Sequence, residues 1–125
     1  MESNQPHLPY PVAIEVYRGG GFRFAGLSHR GAILCLPDGI RASPVRSAAD
    51  IDAQALALVL ETSPPVEILV VGAGADPWLV PSELRARARD IGMSIEGMTT
   101  AAAVHTYNIL LEENRRVAAL LIPLG

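Results

Sequence analysis

The sequence predicts a mixed α/β domain, and three observations lead to this fold class. Residues 66–71 are apolar at five of six positions, a pattern typical of a strand that is covered on both faces. The strand ends in a double-glycine loop, Gly72-Ala73-Gly74. Beyond the loop, helical patterns alternate with short strands, which favours crossover connections and parallel strands. We therefore expect residues 66–71 to lie in the middle of a sheet.

Length and composition indicate one folded domain. At 125 residues the chain is long enough to bury a core without disulfides or a metal ion. Half of the residues are hydrophobic and 18% are charged, which is typical of a folded chain. The proline-rich residues 1–11 predict a flexible N-terminal segment. Residues 12–125 then form the single α/β domain.

Charge, cysteine content and hydropathy argue against several classes of protein. The formal charge of -3 argues against a general nucleic-acid binder, which needs surplus cations. Cys35 is the single cysteine, which excludes an intrachain disulfide and a clustered thiolate metal site. The chain shows no targeting signal, and no aliphatic stretch approaches the roughly 20 residues that cross a bilayer. We expect a soluble, cytoplasmic protein.

The N-terminal third predicts three strands. Apolar and polar residues alternate over residues 12–17 and again over 22–24, and Gly19-Gly20-Gly21 separates the two runs, which predicts a β-hairpin. We expect a turn at residues 28–31 and a third strand at about 32–36. Pro37-Asp38-Gly39 ends this strand in a turn.

The remaining chain predicts three helices and three strands. Asp50 or Asp52 caps a helix that runs to about residue 60, and Pro81 begins a second helix that ends at Gly92. A short strand follows at residues 93–96.

The last helix is predicted between two polar residues. Thr99 or Thr100 caps it, and Asn114 stops it in a left-handed conformation. Residues 116–122 form the final strand, so the predicted order is βββ-α-β-α-β-α-β.

The glycine loop is the candidate for ligand binding, because open α/β sheets present crevices at strand ends. A dinucleotide fingerprint needs a third glycine, but Pro77 stands at that position, and the helical pattern resumes only near Pro81. A tight structural turn is therefore favoured over a nucleotide site. The candidate crevice residues are Gly72, Gly74, Asp76, Glu96 and Thr100.

No set of residues forms a recognisable catalytic constellation, and we expect neither a metal nor another cofactor. The three histidines are far apart in sequence and none has a metal-ligand spacing. His105, Asn108 and Glu112 share one helix face. They are interpreted either as a polar cluster facing a cleft or, more favoured, as a solvated face with Asn108 bonded to a backbone group.

Partner contacts are predicted at one aromatic and several basic side chains. Trp78, the only tryptophan, is either a lid on the core or an interface anchor. Arg85 and Arg89 belong to a set of arginines that are either a patch for an acidic partner or ordinary surface charges. The candidate contact residues are Trp78, Arg85 and Arg89.

Residues spread over nearly the whole chain form a further pattern, which is most specific in the C-terminal half: Tyr17, Gly20, Gly21, Phe22, 29–36, 68–74, 96–100, Ala103, 106–108, Leu110, Glu113 and 115–123. On these residues the chain resembles a known family, the Mth938-like family of uncharacterised domains that includes mitochondrial complex I assembly factor 3. Two departures are Asn114, where the family usually has glycine, and His105, where several members have arginine.

This resemblance implies a three-layer fold with a mixed central sheet, the helices on one side and the N-terminal hairpin region on the other. It implies no established catalysis, and the mitochondrial relative implies a non-enzymatic assembly factor for the membrane-bound NADH dehydrogenase. We therefore expect an interaction protein with unidentified protein partners that assists assembly of a respiratory or other membrane complex, associating with it peripherally. The alternative is a small-ligand or nucleotide-binding protein, or an enzyme, that uses the crevice after Gly72 and Gly74.

Overall fold

The computed structural model describes residues 7–17 and 20–124. Of the N-terminal segment that we expect to be flexible, residues 1–6 lie outside this range. Leu8 is buried and pairs with Ile40: the Leu8 N–H donates to the Ile40 carbonyl at 3.2 Å, and the Ile40 N–H donates back at 2.9 Å.

The described residues form two sheets, three α-helices and a short 3-10 helix. One sheet has three antiparallel strands, β1 (Glu15–Tyr17), β2 (Gly21–Phe24) and β3 (Leu27–Arg30). The other has the strand order β5-β4-β8-β6-β7 and consists of β4 (Ile33–Leu36), β5 (Gly39–Ala42), β6 (Ile68–Ala73), β7 (Ser94–Met98) and β8 (Val117–Ile122). The 3-10 helix is Ala48–Asp50, and the α-helices are α1 (Ala57–Leu60), α2 (Ser82–Asp90) and α3 (Thr100–Glu112).

Two strands of the N-terminal third, β3 and β5, were not predicted from the sequence. The expected turn at residues 28–31 is wrong, because this segment is β3, which returns along β2 after a turn at Ala25-Gly26. Both turn residues have positive φ, 50° and 78°, which is the geometry of a tight hairpin, but Ala-Gly is not its usual sequence. The turn expected at 37–39 is present, and β5 follows it as a further antiparallel strand.

The first predicted helix is shorter than expected, because α1 covers only Ala57–Leu60. The Asp50 carboxylate accepts hydrogen bonds from the N–H groups of Arg46 and Ser47, at 2.9 and 3.3 Å, so it bonds to residues that precede it and does not cap α1. Asp52 accepts from the Ala55 N–H at 2.9 Å, three residues further on, which is the hydrogen bond of a helix N-cap. Turn residues 53–56 separate Asp52 from α1.

The later elements agree with the sequence prediction. The strands β6, β7 and β8 are mutually parallel, as crossover connections require. The Thr99 hydroxyl caps α3 by accepting from the Ala102 N–H at 3.3 Å, and Asn114 has a positive φ of 61°. β6 is an interior strand as expected, although the middle position of the sheet belongs to β8.

The core has two halves, one on each face of the five-stranded sheet. In β6, Leu69 and Val71 contact the half beneath α1 and α2, whereas Val70 contacts the half beneath α3 and the three-stranded sheet. The three-layer arrangement is thus present, but the expectation that all helices lie on one side is wrong. α3 lies on the side of the hairpin region because the chain moves outward from β6 to β7 and then back past β6 to β8, and right-handed crossovers in opposite directions place their helices on opposite faces. No helix within the described residues is long and apolar enough to span a membrane.

Candidate functional site

The glycine loop at the end of β6 is covered directly by the first turn of α3. A Cβ atom placed on Gly72 would lie 2.8 Å from Thr100 Cα and 2.9 Å from Ala103 Cβ. Both distances are shorter than a real Cβ atom tolerates, so glycine at this position lets the helix approach the strand. The space beside Gly72 is therefore filled by protein.

Thr100, whose side chain is fully buried, forms two hydrogen bonds to the loop and one to the end of β8. The Thr100 hydroxyl accepts from the Gly74 N–H at 2.8 Å and donates to the Ile122 carbonyl at 2.5 Å. The Thr100 N–H donates to the Gly74 carbonyl at 2.9 Å. One side chain thus joins the end of β6, the end of β8 and the start of α3.

The five crevice residues separate into two groups. Gly72, Gly74 and Thr100 are buried in mutual contact, where they have a structural role. Asp76 follows the loop and Glu96 lies on β7, and both side chains are exposed. Within the part of the chain that the structure describes, no three His, Cys, Asp or Glu side chains are grouped to hold a metal ion. Ligand binding at this loop stays a prediction.

The candidate partner residues lie near β7, the edge strand of the five-stranded sheet. Trp78 is half-buried against the core, and its carbonyl oxygen lies over Gly97, 2.2 Å from the position that a Cβ would take. Arg85 donates to the Ile95 carbonyl at 3.5 Å, and Arg89 is exposed one helical turn further along α2. This geometry supports the lid interpretation of Trp78, while its neighbour Leu79 is 90% exposed.

The polar face of α3 agrees with the favoured of its two interpretations. Asn108 accepts from the Ile14 N–H at 2.9 Å and donates to the Ile14 carbonyl at 2.8 Å. His105 and Glu112 are exposed to solvent. Asn108 therefore fastens α3 to the residue that precedes β1.

Two titratable pairs come together that the sequence does not predict. Burial raises the pKa of the Cys35 thiol to about 12, and the neighbouring Tyr107 hydroxyl offsets this rise in part. Burial, and then the neighbouring Cys35, raise the pKa of Tyr107. A thiol with this pKa is not a nucleophile at neutral pH.

The second pair is His7 and His29, whose ring centroids lie 5.0 Å apart. Burial, and then the charge of His7, lower the pKa of His29, while a backbone hydrogen bond at Ala32 raises it. The sequence gives no sign of this contact, because 21 positions separate the two histidines.

A groove lies between α1 and α2, and it was not predicted from the sequence. It consists of two adjoining pockets of about 360 and 330 Å³ that share Ala53 and Arg87. The available signal is the spacing of Ala53, Ala57 and Leu60, which places them on one helical face.

Known proteins are similar to this chain over most of its length. The family described as "Protein of unknown function (DUF498/DUF598)" matches residues 14–122. An uncharacterised protein of Rhodobacter capsulatus is 35% identical over 124 residues, which cover 99% of this chain and 94% of that protein. The Xenopus tropicalis protein named NADH dehydrogenase [ubiquinone] 1 alpha subcomplex assembly factor 3 is 36% identical, over 88% of this chain and 60% of its own length.

Solved structures with the same fold include two bacterial proteins. The crystal structure described as an outer membrane protein from Bartonella henselae has a TM-score of 0.89 and 40% identity, and covers 95% of this chain and 100% of that one. A Bordetella pertussis protein described as a Mth938-like domain has a TM-score of 0.78 and 28% identity, with 100% and 94% coverage. The predicted Mth938-like fold is therefore confirmed.

Proposed function

The chain belongs to the DUF498/DUF598 family of proteins of unknown function, and on this premise we propose that it is a non-enzymatic interaction protein that assists assembly of a respiratory or other membrane complex. The observation that carries the proposal is the 36% identity to assembly factor 3 over 88% of this chain. The chain spans 60% of that relative's length, so the matched part includes nearly the whole domain described above and excludes the rest of the relative.

Two features of the site support an interaction role over ligand binding. Thr100 and Ala103 occupy the space beside Gly72, where a ligand would need to enter. The pKa of Cys35, the only thiol, is raised by burial, which removes the most nucleophilic side chain from chemistry at neutral pH. The proposed partners are therefore proteins rather than small molecules.

The proposed location is the cytoplasm, with peripheral association with the membrane complex. The name of the Bartonella relative, an outer membrane protein, indicates a different location for that protein. Separation of soluble, inner-membrane and outer-membrane fractions of the native host distinguishes these locations. A tagged chain found in the outer-membrane fraction contradicts the proposed location.

The function is tested by affinity purification of the tagged chain from host membranes after mild detergent extraction. We expect subunits of NADH dehydrogenase or of another membrane complex to be enriched over a tag-only control. In a host that lacks the gene, native gels should show incomplete forms of the same complex. A deletion host whose membrane complexes are all intact, together with no enrichment, contradicts the proposal.

A further inference from the structure

The groove between α1 and α2, which we name the α1–α2 groove, has an apolar floor. Ala53, Ala57, Leu60 and Ile91 line it and are half-buried. Each therefore keeps part of its apolar surface in water, although three of the four also pack against the core. The floor continues through the second pocket to Leu84. A partner that covers the floor gains free energy from removing this surface from water.

The rim of the α1–α2 groove is acidic. Asp52, Glu61, Glu83 and Asp90 line it with their side chains exposed, and Arg87 is the one basic residue among them. The ion pairs within the described residues join Arg41 to Asp38, and Arg115 to Glu67 and Glu113, so none of these four carboxylates takes part in one. The rim attracts cations and repels phosphate-bearing surfaces.

An exposed apolar residue, Leu79, precedes the helix that forms one wall of this groove. Leu79 is 90% exposed, the largest exposed fraction among the large hydrophobic residues described. It lies two positions before Pro81, which lines the second pocket. Large apolar side chains beside a groove commonly serve as anchors for a partner.

We infer that the α1–α2 groove and Leu79 dock a basic, amphipathic segment of a protein partner. Leucine-like side chains of the segment cover the floor, and its arginine or lysine residues face the four carboxylates of the rim. Nucleic acid and anionic lipid do not fit this surface, because both carry the charge of the rim. A second copy of this chain, which has a net charge of -3, is a less complementary occupant. This inference rests on the proposed interaction function and specifies the surface that performs it.

The first test uses synthetic peptides whose binding is followed by fluorescence anisotropy. The probe is a short labelled peptide of leucine and arginine, with leucine at helical spacing along one face. One control has glutamate in place of arginine, and the other has the probe's composition in scrambled order. We expect the probe alone to bind, and its affinity to fall as salt rises. Equal binding of the scrambled peptide overturns the inference, because it indicates general charge attraction.

The second test changes the groove and a matched surface. The double variant Glu61→Arg/Asp90→Arg reverses two rim charges, and Glu15→Arg/Glu112→Arg makes the same change in net charge at exposed sites outside the groove. We expect about five- to ten-fold weaker binding of the probe by the first variant and little change for the second, since each exposed charge pair contributes modestly. Leu79→Ser should also weaken binding, without a change in thermal stability. Equal losses in the two double variants overturn the inference.

The same variants separate failure of this inference from failure of the proposed function. In the affinity purification described above, the groove variant should lose the membrane-complex subunits that the matched control retains. If the groove variant retains them, the interaction function stands and this surface is wrong. If the unaltered chain recovers none, and the deletion host is normal, the proposed function itself fails.

Discussion

Cys35 lies in β4 with its thiol fully buried beside the hydroxyl of Tyr107. Sequence alone identifies it as a lone cysteine, and a lone cysteine is equally compatible with an exposed, reactive thiol. In the structure Cys35 lies in a strand whose four residues are all buried. Its thiol is therefore neither exposed nor reactive, because burial disfavours the charged thiolate. The neighbouring Tyr107 is affected in the same direction for the same reason.

We expect the free energy of unfolding to fall as the pH rises above 9.0, in part because of this thiol. Its pKa is 9.0 ordinarily and about 12 in the folded chain. Between these values the unfolded state loses the proton and the folded state keeps it, so stability is lost with rising pH, by up to about 1.4 kcal/mol per pH unit. The measurement is urea unfolding from about pH 8 to about pH 11.

Cys35→Ala serves as the comparison for this prediction. It lowers stability at all pH values by leaving a small cavity, but it should flatten the alkaline decline. Tyr107 still contributes to the decline from its ordinary pKa of 10.0 upward. If the variant and the unaltered chain lose stability with the same slope, the thiol is not the titrating group.

At the scale of elements, the packing of α3 on β6 shows how a glycine can be required by a neighbour. Gly72 lies inside β6, where glycine ordinarily weakens a strand. The first turn of α3 approaches so closely that no side chain fits between the two elements. Gly74 differs, because its φ of 91° requires glycine although nothing lies within 4 Å of its missing Cβ.

Gly72→Ala should therefore displace the start of α3 and lower the free energy of unfolding by about 1–3 kcal/mol, as overpacked cores do. The displacement breaks the bond from the Gly74 N–H to the Thr100 hydroxyl, so that amide should exchange faster with solvent. Gly92→Ala is the control, because Gly92 also has a positive φ, 76°, with nothing within 4 Å of its missing Cβ, and it follows α2, outside this contact. Equal amide protection of α3 in the two variants contradicts the close-packing explanation.

In the whole molecule, the three-stranded sheet is held to the rest of the chain by contacts with α3 and the core. Phe22 and Phe24 of β2 and Ile14 before β1 are buried in the core half beneath α3. Asn108 adds two hydrogen bonds from α3 to the backbone of Ile14, across 94 positions of sequence. The small sheet is thus fastened by apolar packing and by one amide side chain.

Asn108→Ala should lower the free energy of unfolding by about 2 kcal/mol, because it leaves a buried N–H and a carbonyl without their partner. Urea unfolding gives the magnitude, and amide exchange should increase first in β1. His105→Ala on the same helix is the matched control and should change stability by less than about 0.5 kcal/mol, since His105 is exposed. An equal effect of the two variants contradicts the role of Asn108.

The fold was predictable where local chemistry and tertiary packing agree. The C-terminal half could be predicted from its aliphatic strands, from helix caps and stops such as Thr99 and Asn114, and from the rule that crossovers join parallel strands. The strand β3 was not predictable, because its sequence Leu-Ser-His-Arg has no apolar alternation and is mostly exposed. It forms because the tight turn after β2 brings the chain back along the unpaired edge of β2. The first helix was expected to be longer than it is, because Asp50 bonds to an N–H group that precedes it, and only Asp52 makes the bond of a helix cap.

The candidate site was predictable only as a location. Residues 72–74 were expected to form a loop after the strand, but Gly72 and Ala73 still belong to β6. Only the tertiary structure places Thr100 and Ala103 against Gly72. The α1–α2 groove depends likewise on how two helices meet, which neither helix encodes alone. By itself the sequence determined which segments are strands and helices in the C-terminal half, since periodicity and capping act over a few residues. Tertiary structure alone decided which face α3 covers, what closes the glycine loop and where a groove remains, because these depend on contacts between residues far apart in the chain.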